Sequence, residues 1–425
     1  MAMPYSHRTV DDELDELLKS LPAIALEGPR GVGKTATAAR RAKTMFRLDE
    51  PGQLEVVKSD PTLLDAEDGT VVIDEWQRYP ASWDFVRRRV DDGVEPGRFL
   101  LTGSAKPVEA PTHSGAGRIV QLRMRPMSLA ERGLANATVS LGWLLQGDGG
   151  GIRGATTIGL REYVNEILAS GFPGIRQLPD RARRAQLEGY VARVVERDFP
   201  DQGLRVRRPA ELRAWLTAYA AATSTATSYN RLLAAATPGE SDKPAKSTAI
   251  AYRDVLTSLW LLDPVPGWST SHGHLRRLTE APKHHLADPA LAAHLLGVGA
   301  GALLRGEATG HVIPRDGTLL GALFESLVTL SVRVCSQANE AAVYHLRTRD
   351  GEREVDLIVE RPDKRVVALE VKLTTTPDSS DLRHLHWLRD QLGDRLLDAA
   401  IITTGPQAYR RQDGIAVIPA VLLGA

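Results

Sequence analysis

The chain has 425 residues, of which 43% are hydrophobic and 25% are charged, and this composition is typical of folded globular proteins and excludes a disordered chain. Its 53 basic residues balance its 53 acidic residues, so no overall field draws it to nucleic acid or to a membrane, and any nucleic-acid contact must come from a local patch. The single cysteine, Cys335, excludes an internal disulfide and a cysteine-based zinc site.

The length of the chain and its N-terminus bear on domain number and cellular location. A chain of this length exceeds one ordinary core and indicates two or three domains. No apolar run approaches the roughly 20 residues that span a bilayer. The N-terminus is acidic and lacks the basic-then-apolar pattern of a signal peptide. We therefore expect a cytoplasmic protein without a membrane partner.

The first predicted elements are a lead-in helix over residues 9–20 and a strand at Ala23–Leu26. The strand is followed by G-x-x-x-x-G-K-T, the P-loop pattern, and then by a helical segment. The glycines allow a tight turn whose N–H groups face phosphate oxygens, and the following helix adds the positive end of its dipole. We expect Lys34 to reach the β- and γ-phosphates and the Thr35 hydroxyl to ligate Mg²⁺. The predicted nucleotide-binding residues are Gly28, Pro29, Arg30, Gly31, Val32, Gly33, Lys34, Thr35 and Ala36.

Short apolar runs separated by helical segments then predict the remaining buried strands of a parallel α/β sheet. They are Leu54–Val57, Thr70–Glu75, Arg98–Ser104 and Ile119–Leu122. At the end of the second run, Asp74 is expected to hold Mg²⁺ and Glu75 to polarise the attacking water. Thr102 and Ser104 either sense the γ-phosphate or mark a plain strand-to-turn transition.

Three arginines lie close to the last of these predicted strands. Arg118 is the predicted arginine finger, acting in cis or from a neighbouring chain, and Arg123 and Arg125 compete for the role. An ordinary surface arginine is the alternative for each.

The combination of GPRGVGKT, VVIDEWQR, FLLTGS and GRIVQLRMRPMSLAE resembles a family of bacterial and archaeal AAA-type ATPases in which a C-terminal domain of unknown function follows the ATPase. The resemblance continues through most of the chain. Its later segments are Gly171–Gly174, Tyr190 with Glu196–Asp198, Pro282 and Lys283 with Asp288, and Glu354–Asp356 with Glu370–Lys372. The resemblance implies an AAA-type fold for the N-terminal third.

The middle of the chain begins after a glycine-rich stretch, residues 146–157, which we expect to be a hinge without regular structure. Helical spacing runs from Leu160 to Asp198, and three short helices and a turn-rich hairpin follow. The three helices are predicted at Ala210–Ala222, Tyr229–Ala236 and Thr248–Leu262. This order is typical of a winged helix, and the family that the chain resembles carries a winged helix at this position.

In a winged helix, the helix Ser247–Leu259 would face DNA. Lys243, Lys246 and Arg253 would support this contact, and Arg276 and Arg277 would lie near the wing. A purely structural role is the alternative.

Four histidines in the middle of the chain raise the question of a metal site. They are His272, His274, His284 and His285, and no cysteine joins them. Adjacent residues on a strand point to opposite faces, so we interpret these histidines as surface or loop residues.

The C-terminal third follows a second boundary at residues 297–318. A helix is predicted over Leu319–Cys335, followed by the strands Ala342–Arg347, Glu354–Glu360, Arg365–Leu373 and Ala399–Thr403. Asp356 and Glu370 fall on adjacent strands, and alternation puts Glu370 and Lys372 on one strand face. Carboxylates with a lysine suit Mg²⁺ or Mn²⁺.

This constellation resembles the PD-(D/E)xK nuclease fold. The resemblance implies that Asp356 and Glu370 ligate the metal, that Lys372 is the catalytic lysine, and that Glu325 matches an acidic residue on the helix. The aspartate stands in Glu354-Val-Asp356 rather than in a Pro-Asp pair, so the resemblance rests on spacing. Active cleavage and a binding module both remain open. A basic cluster, Gln407–Arg411, suits a phosphate backbone.

Together these patterns predict an α/β protein of three parts. They are an AAA-type P-loop ATPase with a parallel sheet over residues 1–150, a helical winged-helix-like domain over 151–296, and a restriction-endonuclease-like α/β domain over 297–425. We expect an ATP-hydrolysing enzyme that acts on nucleic acid, DNA rather than RNA, with a nuclease-like module. ATP and Mg²⁺ are the expected cofactors, with Mn²⁺ as an option at the C-terminal site. The alternative is an ATP-dependent switch that binds DNA or protein and cuts nothing. A homo-oligomer is consistent with a finger supplied by a neighbour.

Overall fold

The structure of the protein, a computed structural model, is built around two large β-sheets, one near each end of the chain. The model describes residues 5–107, 111–112, 114–147, 149–204, 206, 208–236, 246–269, 281–305, 319–348 and 351–425. The N-terminal sheet has five strands and the C-terminal sheet has seven. A mainly helical region lies between them in sequence.

The N-terminal sheet is parallel throughout, with the strand order β2-β3-β4-β1-β5. Its strands are β1 (Ala23–Glu27), β2 (Thr44–Arg47), β3 (Val71–Asp74), β4 (Phe99–Gly103) and β5 (Val120–Arg123). The central strands β1, β3 and β4 are buried along their whole lengths, as expected of a parallel sheet covered on both faces. The helices of this part are Thr9–Leu17, Lys34–Ala39, Pro51–Ser59 and Ala81–Asp91. Because β1, β3 and β4 run parallel, the residues that follow them meet at one edge of the sheet.

One predicted strand of this sheet is wrong. Leu54–Val57 lies within the helix Pro51–Ser59, and β2 is formed by the preceding residues instead. Proline is well placed in the first turn of a helix. The side chains of the apolar run also differ in burial, since Val57 is fully buried while Val56 is 52% exposed. A run with one buried face fits an amphipathic helix better than a central strand.

The segment after β5 pairs with the end of the chain. The strand β6 (Val139–Ser140) pairs with β14 (Leu423–Gly424), and β7 (Gly154–Ala155) pairs with β12 (Gln407–Arg410). The helix Leu141–Gln146 lies between β6 and β7. The glycine-rich stretch therefore includes a short strand, contrary to the expectation of no regular structure.

The middle of the chain is helical. Its helices are Leu160–Ala169, Pro173–Arg176, Asp180–Arg193, the π-helical turn Val194–Asp198, Phe199–Asp201, Pro209–Ala221, Tyr229–Ala235, Lys246–Ser258, Pro289–Leu295 and Ala300–Arg305. Two antiparallel bridges, Leu262 with Leu286 and Val265 with Lys283, follow the third of the three short helices. Residues 270–280, which include the predicted wing arginines, lie outside the described residues, and so does Lys243.

Two segments singled out by the family resemblance meet in this region. The Oδ2 atom of Asp288 accepts a hydrogen bond from the N–H of Gly171 at 2.8 Å and from the Ser170 hydroxyl at 2.5 Å. A Cβ at Gly171 would lie 2.9 Å from the Met127 nitrogen, so glycine allows the chain to pass close to the N-terminal part. Asp288 thus holds the start of the Gly171–Gly174 turn.

The C-terminal sheet is mixed, with the strand order β7-β12-β13-β11-β10-β9-β8. Its remaining strands are β8 (Ala342–Arg347), β9 (Glu354–Glu360), β10 (Val366–Val371), β11 (Leu396–Thr403) and β13 (Ala416–Pro419). β8, β9 and β10 are antiparallel neighbours, whereas β11 is parallel to β10. The helix Leu319–Ala338 precedes β8, and the helix Arg383–Leu392 connects β10 to β11.

The helix Leu319–Ala338 is long and apolar enough to cross a bilayer, with a mean hydropathy of 1.5 over its most apolar window, 67% of which is buried inside the protein. The sequence expectation that no segment reaches this length is therefore wrong. Leu323, Phe324 and Leu327 are fully buried in the core. A core helix passes the same length and composition test, so the helix alone does not indicate a membrane span.

The coarse fold prediction is confirmed. The protein is α/β, with a parallel N-terminal sheet, a helical middle region and a mixed C-terminal sheet.

Candidate functional site

The P-loop lies between β1 and the helix Lys34–Ala39, at the carboxyl edge of the N-terminal sheet. Gly31 and Gly33 adopt φ angles of 81° and 111°, which favour glycine. A Cβ at Gly28 would lie 2.1 Å from the Met124 carbonyl oxygen, so this position requires glycine for packing. Gly31 has no neighbouring atom within 4 Å of an added Cβ, so the turn is open on that side.

Lys34 is the buried cation of this loop. It is 5% exposed, and its Nζ donates hydrogen bonds to the carbonyl oxygens of Gly28 at 2.8 Å and Pro29 at 3.0 Å. Burial lowers its pKa to about 8, while nearby Glu75 and Asp74 oppose that shift. The ammonium is therefore held against the inner face of the loop.

Asp74 joins the P-loop to two strands. Its Oδ1 accepts a hydrogen bond from the Thr35 hydroxyl at 2.9 Å and another from the hydroxyl of Thr102, at the end of β4. Burial raises the pKa of Asp74, and both hydroxyl donors oppose that shift. The sequence-predicted residues Thr35, Asp74 and Thr102 thus lie together. A hydroxyl beside a carboxylate supplies the oxygen atoms that Mg²⁺ prefers.

Glu75 lies beside Asp74 in a constrained position. Its backbone adopts φ 56°, in the left-handed region that non-glycine residues seldom occupy. Its Oε2 accepts hydrogen bonds from Gln77 Nε2 at 2.5 Å and from Ser104 Oγ at 2.7 Å. Ser104, predicted as a phosphate sensor or a turn residue, therefore orients the carboxylate of Glu75. Gln77, which the sequence reasoning did not single out, shares that task.

Two further residues contact the P-loop and were missed from the sequence. Arg8, 3% exposed, donates from Nη1 to the Val32 carbonyl at 3.0 Å and from Nη2 to the Arg125 carbonyl at 2.7 Å. The Tyr190 hydroxyl donates to the Arg30 carbonyl at 3.2 Å. Tyr190 belongs to the family resemblance but had no predicted role, and Arg8 was not singled out; each reaches the loop from a distant part of the chain.

The middle region closes one side of this edge. Asp198, 7% exposed, lies 4.0 Å from the Arg30 guanidinium and 3.7 Å from that of Arg193. A cleft between the two parts is lined by Arg30, Gln77, Ser104, Lys106, Tyr190 and Asp198. Residues at the carboxyl edge of the N-terminal sheet and residues of the middle region therefore face each other across the cleft.

The three arginines proposed as a finger have different surroundings. Arg118 is on the surface and pairs with Asp91 at 2.8 Å. Arg123 and Arg125 instead pair with buried Asp263, at 3.0 and 2.8 Å, and Arg333 joins them at 3.0 Å. Burial disfavours ionisation of Asp263, yet the three guanidinium groups outweigh it and hold its pKa well below its usual range. Arg123 and Arg125 are thus internal ion-pair residues.

The histidine interpretation holds only in part: His284 and His285 lie outside helices and strands, as loop residues do, but neither is at the surface. They are 0% and 2% exposed, and His284 is stacked edge-on against the rings of Tyr219 and Tyr229. Burial lowers the pKa of both imidazoles. The apolar residues that surround them come from distant helices, which the local sequence does not reveal. His272 and His274 lie outside the described residues.

The C-terminal constellation is brought together at β9 and β10. These strands pair antiparallel as far as Leu357 and Leu369, and Asp356 and Glu370 lie one residue beyond that pair. The Oδ2 atom of Asp356 accepts the Val371 N–H at 2.9 Å, and Lys372 Nζ lies 2.8 Å from Glu370 Oε1. The predicted grouping of Asp356, Glu370 and Lys372 is therefore present.

Lys283, which the family resemblance included without a role, enters the same cluster. Lys283 Nζ lies 2.9 Å from Glu325 Oε1, 3.0 Å from Asp356 Oδ1 and 3.2 Å from Glu354 Oε1. Burial and the charge of Asp356 raise the pKa of Glu325 to about 8, and the same causes raise that of Glu370 to about 8. Burial also opposes ionisation of Asp356, but the ammonium groups of Lys283 and Lys372 hold its pKa below the usual range.

The residues at this cluster do not fit a divalent metal ion. Among the residues that the structure describes, no group of three or more histidine, cysteine, aspartate or glutamate side chains is arranged to hold one. The basic cluster at Gln407–Arg411 is also engaged, since Arg410 pairs with Asp398 at 2.7 Å and Arg411 with Asp413 at 3.1 Å.

Three family models match successive parts of the chain. Residues 20–132 match an AAA domain, residues 160–301 match a domain of unknown function (DUF8612), and residues 320–423 match another (DUF4143). The first match covers the P-loop, Asp74 and Glu75. The N-terminal part is therefore a P-loop ATPase domain of the AAA type, followed by two domains of unknown function.

Two curated relatives are similar along almost the whole chain. They are uncharacterized protein Mb2031c of Mycobacterium bovis and uncharacterized protein Rv2008c of Mycobacterium tuberculosis, each 28% identical over 98% of this chain and 84% of the relative.

Solved structures give weaker similarities. The Walker-type ATPase paby2304 of Pyrococcus abyssi has a TM-score of 0.40 at 14% identity, covering 69% of this chain and 99% of that one. A RuvB variant of Thermotoga maritima has a TM-score of 0.26 at 17% identity, covering 64% of this chain and 94% of that one.

Proposed function

We propose that the protein hydrolyses ATP at the edge of the N-terminal sheet. The observation that carries this proposal is the 2.9 Å hydrogen bond between the Thr35 hydroxyl and Asp74 Oδ1, because it unites the P-loop with the carboxylate that follows β3. The match of residues 20–132 to an AAA domain supports the same assignment. Lys34 binds the phosphates, and Thr35 and Asp74 hold Mg²⁺, which screens phosphate charge when bound.

Glu75 is the proposed general base. Its carboxylate is oriented by Gln77 and Ser104, at 2.5 and 2.7 Å, and these contacts support a fixed position next to Asp74. A backbone in the left-handed region costs on the order of 1 kcal/mol and persists where the surroundings enforce it. Such strain is common at residues whose placement matters for chemistry.

We further propose that the ATPase works as a switch that the middle region reads. Arg30 of the P-loop makes both contacts: its carbonyl oxygen accepts a hydrogen bond from Tyr190, and its guanidinium group faces Asp198. A rearrangement of the loop on nucleotide binding would therefore act directly on residues 190–198. A ligand shifts an equilibrium only through differential contacts. These two contacts are the ones through which a movement of the loop would act on the middle region. The alternative formulated from the sequence, a switch without cleavage, is therefore the function we favour.

Nucleic acid, DNA in particular, is a candidate external partner of this switch. The support is the order of three helices followed by antiparallel bridges, which fits a winged-helix arrangement within residues 151–296. On the helix Lys246–Ser258, Arg253 lies over the Tyr229 ring and also contacts Asp254. Duplex DNA that raises ATP turnover, with a steep loss of the effect at higher salt, would support this partner.

The test of the ATPase is phosphate release by the full chain with Mg²⁺, alongside binding of a fluorescent ATP analogue. Lys34→Ala should lose both binding and turnover. Glu75→Gln should still bind ATP, but its rate of ATP turnover should be at least about 100-fold lower, because it lacks the base. Lys43→Ala, at an exposed lysine nearby, is the matched control and should behave as the unmodified chain. Turnover that persists in Glu75→Gln would exclude Glu75 as the base, and the absence of turnover in the unmodified chain would overturn the ATPase proposal.

A further inference from the structure

The cation inside the C-terminal carboxylate cluster is a lysine from another part of the chain. Lys283 belongs to the middle region, whereas Glu325, Glu354 and Asp356 belong to the C-terminal third. Its side chain is 1% exposed, and its Nζ lies between 2.9 and 3.2 Å from one oxygen atom of each of the three carboxylates. A buried ammonium has three N–H donors, so these three acceptors satisfy all of them.

The backbone fixes the position of this ammonium. Lys283 and Val265 exchange two N–H···O bonds of 2.9 Å, and the next residue, His284, donates its N–H to the Thr225 carbonyl at 2.9 Å. The Lys283 side chain therefore extends from a backbone segment that hydrogen bonds hold in place, and its position is more restricted than that of a surface lysine.

The same carboxylates are the ones that a metal ion would need. A divalent ion requires several oxygen atoms converging on one point at about 2.0–2.6 Å. Glu325 and Asp356, two of the predicted ligands, each give an oxygen to Lys283, and Asp356 gives its other oxygen to the Val371 N–H. An ammonium and a metal ion cannot share the same space, because the two cations would repel each other at contact distance.

Glu370 provides an independent observation. It is 5% exposed, its Oε1 contacts Lys372, and its buried Oε2 has no hydrogen-bond partner. The cluster thus retains one buried carboxylate oxygen that has no hydrogen-bond partner and would be free to bind another cation.

We propose that Lys283 is the resident cation of this cluster and occupies the position that a divalent metal ion would take, so that the C-terminal domain holds no metal and cleaves no phosphodiester bond in this conformation. The inference goes beyond the ATPase, since the cluster shares no residue with the P-loop edge. It also explains why two carboxylates and a lysine in nuclease-like spacing do not by themselves make a metal site. Removal of the Lys283 ammonium should convert the cluster into a site for Mn²⁺.

The test is Mn²⁺ binding to the nucleotide-free full chain, in which electron paramagnetic resonance distinguishes free from bound Mn²⁺. Every protein, including the background chain, carries Asp74→Asn, which removes the ATPase metal site. The background chain and its Asp356→Asn derivative should bind Mn²⁺ equally weakly. Lys283→Ala should gain one site with at least about ten-fold tighter affinity, and Lys283→Ala combined with Asp356→Asn should lose that gain. Lys364→Ala removes an exposed lysine that pairs with Glu360 on the same sheet, and it should gain nothing.

Two outcomes overturn the proposal. One is tight Mn²⁺ binding by the background chain that Asp356→Asn abolishes, since the site would then coexist with Lys283. The other is a folded Lys283→Ala or Lys283→Met chain that gains no Asp356-dependent site. Lys283→Met keeps the aliphatic stem and serves if the alanine variant does not fold. The first measurement needs no change at Lys283, so it decides even if neither variant folds.

Discussion

Arg125 Nε lies 2.8 Å from Asp263 Oδ2, and this ion pair joins the segment that follows β5 of the ATPase sheet to the middle region. Asp263 also binds Arg123 of β5 and Arg333 of the helix Leu319–Ala338. All three parts of the chain therefore meet at one buried carboxylate. The same arrangement engages two of the three arginines that the sequence offered as transition-state fingers.

Replacing Asp263 should destabilise the protein strongly. Asp263→Asn leaves three partly buried guanidinium groups around a neutral amide, and breaking a buried ion pair in this way costs about 3–5 kcal/mol. We expect a clear drop in the midpoint of urea or thermal unfolding, measured by circular dichroism. Asp91→Asn is the matched control, because Asp91 binds Arg118 on the surface, where an ion pair contributes about 0–1 kcal/mol. Equal effects of the two changes would contradict a central role for Asp263.

Thr102 should matter through its hydroxyl rather than its shape. Thr102→Val keeps the volume of this fully buried side chain but removes one of the two hydroxyl donors to Asp74. A buried carboxylate that loses a donor costs about 1–3 kcal/mol, so we expect lower stability and weaker Mg²⁺-dependent ATP turnover. Thr102→Ser retains the donor and should stay close to the unmodified chain in both measurements. If the serine and valine variants lose equally, packing rather than hydrogen bonding explains the position.

Cys335 should be inert in the folded protein. It is 1% exposed, and burial raises the pKa of its thiol to about 12, so almost no thiolate forms at pH 8. A chromogenic thiol reagent should therefore react only after denaturant is added, with one thiol per chain. Ser379→Cys, at an exposed position of the same domain, should react at once without denaturant. Rapid reaction of the unmodified native chain would contradict the burial of Cys335.

The ATPase edge was largely predictable because its signals are local. The P-loop, Asp74, Glu75 and the strand before Thr102 each depend on residues close in sequence, and parallel strands bring their ends to one edge. The wrong strand at Leu54–Val57 shows the limit of this reasoning. A short apolar run fits a strand or a helix, and only the burial of Val57 beside exposed Val56 distinguishes them.

The C-terminal cluster was predictable only in part. Alternation along the predicted strand Arg365–Leu373 placed Glu370 and Lys372 together, and the adjacent predicted strand Glu354–Glu360 placed Asp356 beside them. Lys283 arrives from about 70 residues before Asp356 in the chain, and no periodicity relates the two residues. The contacts of Arg8, Tyr190 and Asp263 escaped prediction for the same reason, since each contact joins parts of the chain that are distant in sequence.

Glu27 should make stability depend on pH in an unusual direction. It ends β1, directly before the P-loop, and is 5% exposed. Burial raises its pKa from 4.5 to about 7, although Lys106 and Lys34 oppose the shift. Between these two pH values the unfolded chain releases the proton while the folded chain keeps it. The contribution of Glu27 to the free energy of unfolding therefore falls as pH rises from 4.5 to about 7 and is constant above that. The total fall is about 3 kcal/mol, at 1.4 kcal/mol per pKa unit.

Glu27→Gln removes this pH-dependent loss. In urea unfolding, the variant should match the stability of the unmodified chain near pH 4.5 and exceed it increasingly up to about pH 7. Glu16→Gln, at an exposed glutamate, should show no such rise. A difference between Glu27→Gln and the unmodified chain that does not change with pH would show that Glu27 stays ionised, or stays neutral, in both states over this range.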